Sequence, residues 1–262
     1  MSLYHSEASS SDLAMRAEEA CYAAWPAVRN VALDGWLLRF AGGHTNRANS
    51  VSVVVAAQGD PARKAAACEA LYAAEGLPTV FRLSTACPEP GLDTVLDARL
   101  YGAPFHESLV LHAAQLDLPP DTATGAALSE GRPDEHWLAT SARLGGLDAA
   151  GTALRARIFD ALAVPAAFAS VEVDGTVAAQ AFGAVKDGLV CLNGVATAPE
   201  HRGRGYARRA VAAVLAWASE RQDVSGACLQ VMADNPPALA LYRRLGFTSE
   251  LSRYHYRSRA LA

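Results

Sequence analysis

The sequence predicts an α/β (α+β) protein made of two halves in tandem, each a mixed, mostly antiparallel sheet flanked by helices. Three observations predict it. An order of hairpin, helix, strand, short helix and strand occurs twice along the chain. Asp174-Gly175 and Asp187-Gly188 each stand between β-rich runs, the strongest short signal for a hairpin. Between Leu116 and Glu135 the chain gathers Pro119, Pro120, Gly125, Gly131 and Pro133 with few bulky apolar residues, which reads as a compact linker with room for one edge strand. The expected domains are therefore residues 1–117 and 118–262. A chain of 262 residues, 51% of them hydrophobic, is long enough to give both halves a core.

In the first half, the polar cluster Ser9-Ser10-Ser11-Asp12 suits an N-cap, so a helix runs from there to Ala24 and stops against Trp25-Pro26. Residues 35–41 and 48–55 alternate as strands, with Gly42 to Asn46 as the turn of a hairpin between them. A helix is expected from Pro61 to about Ala74, closed by Gly76 and Pro78. A strand from Thr79 to Ser84, a helix from Leu92 to Tyr101 and a strand from Phe105 to Leu111 complete the half. The second half has helical pattern from Asp134 to about Leu162 with a break at Gly145-Gly146. Strands follow over Ala167–Val173, Thr176–Val185 and Leu189–Ala196, an antiparallel meander. Then come a helix from about Ala207 to Glu220, the strand Cys228–Met232, a short helix from Pro236 to Leu245 and a last strand near Arg253–Arg257. Leu92 to Gly102 matches Ala238 to Phe247 in placement and pattern, which points to a repeat, although many α/β chains share such an order.

The segment from Val195 to Val211 is a strand, a glycine-bearing loop and a helix start. Beyond the loop, Ala207, Val211, Val214, Leu215 and Ala218 fall on one helical face. The loop then presents unpaired amides at a helix N-terminus, a ready anion site. Arg202, Arg204, Arg208 and Arg209 crowd the positive end of the helix dipole, where each cation is unfavourable by about 0.3–1 kcal/mol. A bound anion would turn that repulsion into attraction; otherwise the four form a solvated basic face. A Walker loop is absent, and the dinucleotide fingerprint lacks its third glycine because Arg208 stands there.

The loop does match the Arg/Gln-x-x-Gly-x-Gly/Ala signature of the Gcn5-related N-acetyltransferase (GNAT) superfamily, filled by Arg202, Gly205 and Ala207. A second run, Asn235-Pro-Pro-Ala-Leu-Ala-Leu-Tyr-Arg-Arg-Leu-Gly-Phe247, resembles the family's Asn-x-x-Ala-x-x-Leu-Tyr-x-x-x-Gly-Phe. The likeness covers the second half well and the first in outline, as in tandem members whose N-terminal half is a degenerate copy without the cofactor loop. It implies an N-acetyltransferase that moves an acetyl group directly from acetyl-CoA to an amine. The cofactor's pyrophosphate would lie on Gly203, Arg204, Gly205, Tyr206 and Ala207, with Arg202 and Arg208 beside it. Val195 and Thr197 would pair with pantetheine, Asn235 would also belong to the cofactor site, and Tyr242 would reach the thioester sulfur as the catalytic acid. Read from the residues alone, Asn235 is an N-cap, Pro236 suits the first helical position, Gly246 suits the C-terminal cap, and Tyr242 is as well explained with its hydroxyl in water. In the first half Ala56 to Asp60 holds no arginine and no paired small residues, so one CoA per chain is expected. Gly35 to Arg39 and the run Thr45-x-Arg47-Ala48-Asn49-Ser50 also resemble bacterial relatives, with no role attached.

No residue stands out as the general base. Cys191 and Asn193 precede Val195, Glu172 lies on an earlier strand that can equally face solvent, and His201 beside the loop reads as a surface residue. A water-mediated path and a base from the first half both stay open, as does a non-catalytic acyl-CoA-binding sensor or scaffold. Cys21, Cys68, Cys87, Cys191 and Cys228 form no C-x-x-C pair, and no His/carboxylate cluster has ligand spacing, so no metal is expected. Lys+Arg 23 against Asp+Glu 27 leaves a net charge of −4, which argues against nucleic acid or anionic membrane as partner. Without a basic leader or an apolar run of about 18 residues, the expectation is a cytoplasmic monomer or homodimer acting on a small-molecule, peptide or protein amine.

Overall fold

The computed structural model describes residues 10–56, 59–116 and 118–261. Ser9 of the polar cluster, Ala57 and Gln58 of the segment before Asp60, and Asp117 at the expected boundary lie outside them. Helix α1 (Ser10–Ala24) ends where Pro26 forbids its continuation. The next turn differs from expectation. The tight hairpin joins β1 (Arg29–Leu33) to β2 (Trp36–Phe40) through Asp34-Gly35, both at positive φ (42° and 77°) as a type I′ turn requires. Gly42 to Asn46 belongs instead to a longer loop that ends in a single 3-10 turn, Asn46–Ala48, ahead of the short β3 (Val51–Val53). The other expected elements are present: α2 (Pro61–Ala74), β4 (Thr79–Ser84), α3 (Leu92–Ala98) and β5 (Phe105–Ala113). Helix α3 stops three residues short of Tyr101 because Leu100 turns to a φ of 62°.

The linker carries an edge strand, β6 (Ala126–Glu130), preceded by a 3-10 turn, Pro120–Ala123. Helices α4 (Glu135–Leu144) and α5 (Ala149–Asp160) follow, capped by Asp134, which accepts from the Trp137 amide at 2.7 Å, and Asp148, which accepts from Gly151 at 2.8 Å. Then come β7 (Ala166–Val173), β8 (Thr176–Lys186), β9 (Leu189–Thr197), α6 (Tyr206–Ser219), β10 (Gly226–Met232), α7 (Pro236–Arg244) and β11 (Ser249–Arg259).

All the described strands join one sheet in the order β1-β2-β3-β4-β11-β5-β10-β9-β8-β7-β6. The final strand of each half has crossed into the other. Strand β5 pairs with β10 and β11 pairs with β4, so the halves share hydrogen bonds instead of packing as two separate sheets. Pairing is antiparallel except at β3–β4 and β9–β10. The central strands are covered on both faces. Along β9, Leu189 and Cys191 join the cluster under α1, while Val190 and Leu192 join the cluster under α6. A Cβ on Gly183 would stand 2.5 Å from Val214 of α6, so only glycine lets that helix lie this close to β8. On the α1 face the aromatic group Trp25, Trp137, Phe159, Phe168 and Phe182 ties α4 and α5 to the sheet. A fully buried ion pair, Glu18–Arg82 at 2.8 Å, fastens α1 to β4, and Ser84 and Ser252 donate to the same carboxylate.

Candidate active site

Strands β9 and β10 stay paired only from Leu189 to Leu192. Beyond that point β10 continues against β5 as far as Met232, and β9 continues against β8 as far as Thr197. Residues 193–197 therefore turn an unpaired backbone edge toward a V-shaped gap. A β-bulge opens it: Gly194 and Val195 oppose the single residue Ala181, and Gly194 sits at a φ of 62° with the Phe182 ring where a Cβ would be, at 2.9 Å. Val195 and Thr197 lie half-buried on this free edge.

At the mouth of the gap a 3-10 turn, Pro199–His201, leads into the arginine loop. Gly203 (φ 75°) and Gly205 (φ 81°) both take the left-handed conformation, and a Cβ on either would meet nothing within 4 Å. The inner side of the loop is open space. Gly205 is the N-cap of α6 and has no side chain to offer, so the amides of Tyr206, Ala207 and Arg208 open the helix uncapped. A cleft of about 220 Å³ in front of them is lined by Thr122, Arg204, Gly205, Arg208 and Arg209. Arg202, Arg204, Arg208 and Arg209 are exposed, and the buried Thr122 hydroxyl, delivered by the linker turn, has no hydrogen-bond partner among the described residues. Uncapped amides, exposed guanidiniums and a buried hydroxyl without a partner among the described residues make a donor set that fits a pyrophosphate.

On the other strand of the gap, α7 starts as expected. Asn235 accepts from the Ala238 amide at 3.2 Å, so its side-chain oxygen is spent on capping. The Tyr242 side chain is buried, not laid out with its hydroxyl in water. It packs with Leu245 and Phe247 in the α6-side core, and burial pushes its phenol up to about 12, opposed by the cation of Arg47. The hydroxyl therefore stays protonated at neutral pH.

Arg47, from the first half, is a site residue that sequence reasoning left without a role. Its guanidinium donates to Asn193 Oδ1 at 2.7 Å and lies over the Trp25 ring, at the root of the gap. Thr122 was missed as well, since nothing in a Pro-rich linker marks a ligand. Glu172 is exposed on β7 beside His136 and does not join the site. The His201 ring sits against Tyr206. The scattered cysteines also converge. The sulfurs of Cys21, Cys191 and Cys228 lie within 4.8 Å of one another where α1 crosses β9 and β10. The hydrogen bond between the two thiols, 3.5 Å from sulfur to sulfur, holds Cys191 well below the ordinary range and pushes Cys21 up. Separations such as the 170 residues between Cys21 and Cys191 hide this cluster from any spacing rule.

A family model described as "Probable histone acetyltransferase Rv0428c C-terminal" matches residues 13–259. The chain belongs to this acetyltransferase family, within the GNAT superfamily. It is similar to an uncharacterized N-acetyltransferase, YobR, of Bacillus subtilis (strain 168), with 28% identity over 242 residues, 92% of this chain and 96% of that one. The fold is shared with a GCN5-related N-acetyltransferase from Kribbella flavida at a TM-score of 0.65 and 19% identity, covering 98% of both chains. It is shared too with a tandem GNAT protein from the clavulanic acid biosynthesis pathway, at a TM-score of 0.59 and 16% identity over 86% of this chain and 77% of that one. Among the described residues no helix is long and apolar enough to cross a membrane.

Proposed function

We propose that the chain is an acetyl-CoA-dependent N-acetyltransferase acting by direct transfer, with the cofactor held in the second half. The observation that carries this reading is the junction of an open β9 edge with an uncapped, arginine-rich helix start. In it the pyrophosphate lies on the amides of Gly203 to Ala207 beside Arg202, Arg204 and Arg208, and pantetheine extends along Val195 and Thr197. Asn235 contributes from the start of α7. The thioester then reaches the root of the gap, near Asn193 and Tyr242. The acceptor nitrogen attacks the carbonyl carbon, a C–N bond forms, the C–S bond breaks, and the proton lost by the nitrogen ends on sulfur. A phenol near 12 is a weaker acid than a CoA thiol near about 8.5, so Tyr242 assists by a hydrogen bond to the developing thiolate more than by complete proton donation.

The domain division at residues 117 and 118, with a first half that keeps the order of elements but not the phosphate loop, belongs to the same proposal. So do a cytoplasmic location, a monomer or homodimer, a small-molecule or peptide amine as acceptor, no metal, and no nucleic-acid or membrane partner. The decisive test is thiol release from acetyl-CoA with a panel of amines. Amine-dependent release is expected; tight CoA binding with no release for any amine would favour a non-catalytic acyl-CoA sensor or scaffold.

A further inference from the structure

The run Thr45-x-Arg47-Ala48-Asn49-Ser50 builds a loop held far more firmly than a connection needs. Asn49 Oδ1 accepts from the amides of Ala41 (2.8 Å) and Gly43 (2.9 Å), while its Nδ2 donates to the carbonyls of His44 (2.7 Å) and Thr45 (2.9 Å). Trp25 Nε1 donates to Thr45 Oγ1 at 3.0 Å, and the buried Arg39 guanidinium donates to the carbonyls of Arg47 and Trp25. What this framework presents to the second half is Arg47 and His44. From the opposite side α5 brings Arg155. Its Nη1 donates to Ser141 O and Oγ, each at 2.8 Å, and its Nε faces His44 Nε2 at 3.4 Å.

Both guanidiniums are half-buried, and among the described residues no carboxylate lies within 4.0 Å of either. Elsewhere the buried Arg39 is met by backbone carbonyls, and three other shielded arginines are met by carboxylates. Arg82 has Glu18, Arg99 has Glu69, and Arg257 has Asp93 and Asp97. Burial and the charge of Arg47 depress the pKa of Arg155, and burial with the same two cations depresses that of His44. Two like charges brought together in part-desolvated surroundings cost free energy unless an anion joins them.

We infer that Arg47 and Arg155 form an anion subsite for the acceptor, so that the amine acetylated carries its own carboxylate or phosphate group. The placement suits it. Arg47 touches Asn193, two residues before Val195, and so stands at the end of the gap where the acyl group is to be transferred. An acceptor pinned there by its acidic group brings its nitrogen to the thioester from the α1 face, opposite the phosphate loop. The first half thus supplies recognition of the acceptor while the second binds the donor.

This inference rests on the acetyl-transfer reading, and the test separates the two. Thiol release from acetyl-CoA is measured with amino acids, aminoalkyl phosphates, the corresponding uncharged-tail amines, and a lysine peptide without free carboxylates. At least one acidic series should exceed its neutral counterparts by tenfold or more in kcat/KM. Arg47→Met and Arg155→Met should erase that preference chiefly through KM, with the melting temperature and the calorimetric affinity for CoA nearly unchanged. If the neutral amines or the peptide serve as well as the acids, or the preference survives both substitutions, the subsite is wrong. Should wild type transfer to no amine, calorimetric titration of the CoA-loaded chain with N-acetyl amino acids and their amides reads the same contrast, and equal binding overturns the inference. Failure of wild type to bind CoA strikes instead at the acetyl-transfer reading.

Discussion

Helices α2 and α6 occupy the same place in the two halves, each following the first strand of a parallel pair, yet their N-termini are built for opposite purposes. Asp60 caps α2 with a carboxylate that accepts from the Ala62 amide at 3.0 Å, and Pro61 removes one of the remaining donors. Lys64 in its first turn is already engaged, donating to the Asp34 carbonyl and lying over the Trp36 ring. Helix α6 is capped by a glycine without a side chain, keeps its amides, and is surrounded by exposed arginines that pair with no carboxylate among the described residues. One helix start satisfies itself; the other is left wanting an anion. A fold can thus carry two copies of an element and reserve binding for the copy whose backbone donors remain free.

The harshest way to break this contrast is to spoil the open end. Gly205→Val forces a β-branched residue into a φ of 81° and places methyl groups in the space the phosphates would fill. Loss of measurable CoA binding by calorimetry is expected, with the fold retained by circular dichroism. Unchanged affinity would remove the loop from the site.

Next in size is Tyr242→Phe, which keeps the ring in its packing against Phe247 and deletes only the hydroxyl. A fall in kcat of roughly 10²–10³-fold is expected, the range for one preorganised hydrogen-bond donor to developing negative charge, with acetyl-CoA affinity nearly unchanged. Steady-state kinetics decides it: wild-type turnover would make Tyr242 a packing residue of α7.

How much of this was legible beforehand follows the range of the signal. The arginine loop, the cap at Asn235 and the Asp-Gly turns are local, and residues a few positions apart state their own geometry. Asp34-Gly35 carries the same signal, but the longer glycine run at Gly42-Gly43 competes with it for the turn of the hairpin. The exchange of β5 and β11 was out of reach, because either strand's alternation fits any neighbour in a sheet covered on both faces. Arg47, Arg155 and the three cysteines lie far apart in sequence and meet only through that exchange and the path of α1. Thr45 to Ser50 stood out as a motif, but the role proposed for it rests on the contact with Asn193, which is 146 residues from Arg47.

The mildest substitution sharpens the comparison most. Asp60→Ala removes the carboxylate that closes α2 and leaves Arg63 exposed in the first turn. If the aspartate alone kept anions away, a second CoA would now bind. Three features argue that it will not. Pro61 has no N–H to offer, Lys64 is held by Asp34 and Trp36, and a single arginine cannot replace the four at α6. The expected result is a stability loss of about 0.5–2 kcal/mol from the missing cap, read by denaturant unfolding, with CoA stoichiometry still near one per chain by calorimetry. A stoichiometry approaching two would mean that the halves differ by one side chain and not by the architecture of their helix starts, and the first half would have to be counted as a suppressed cofactor site.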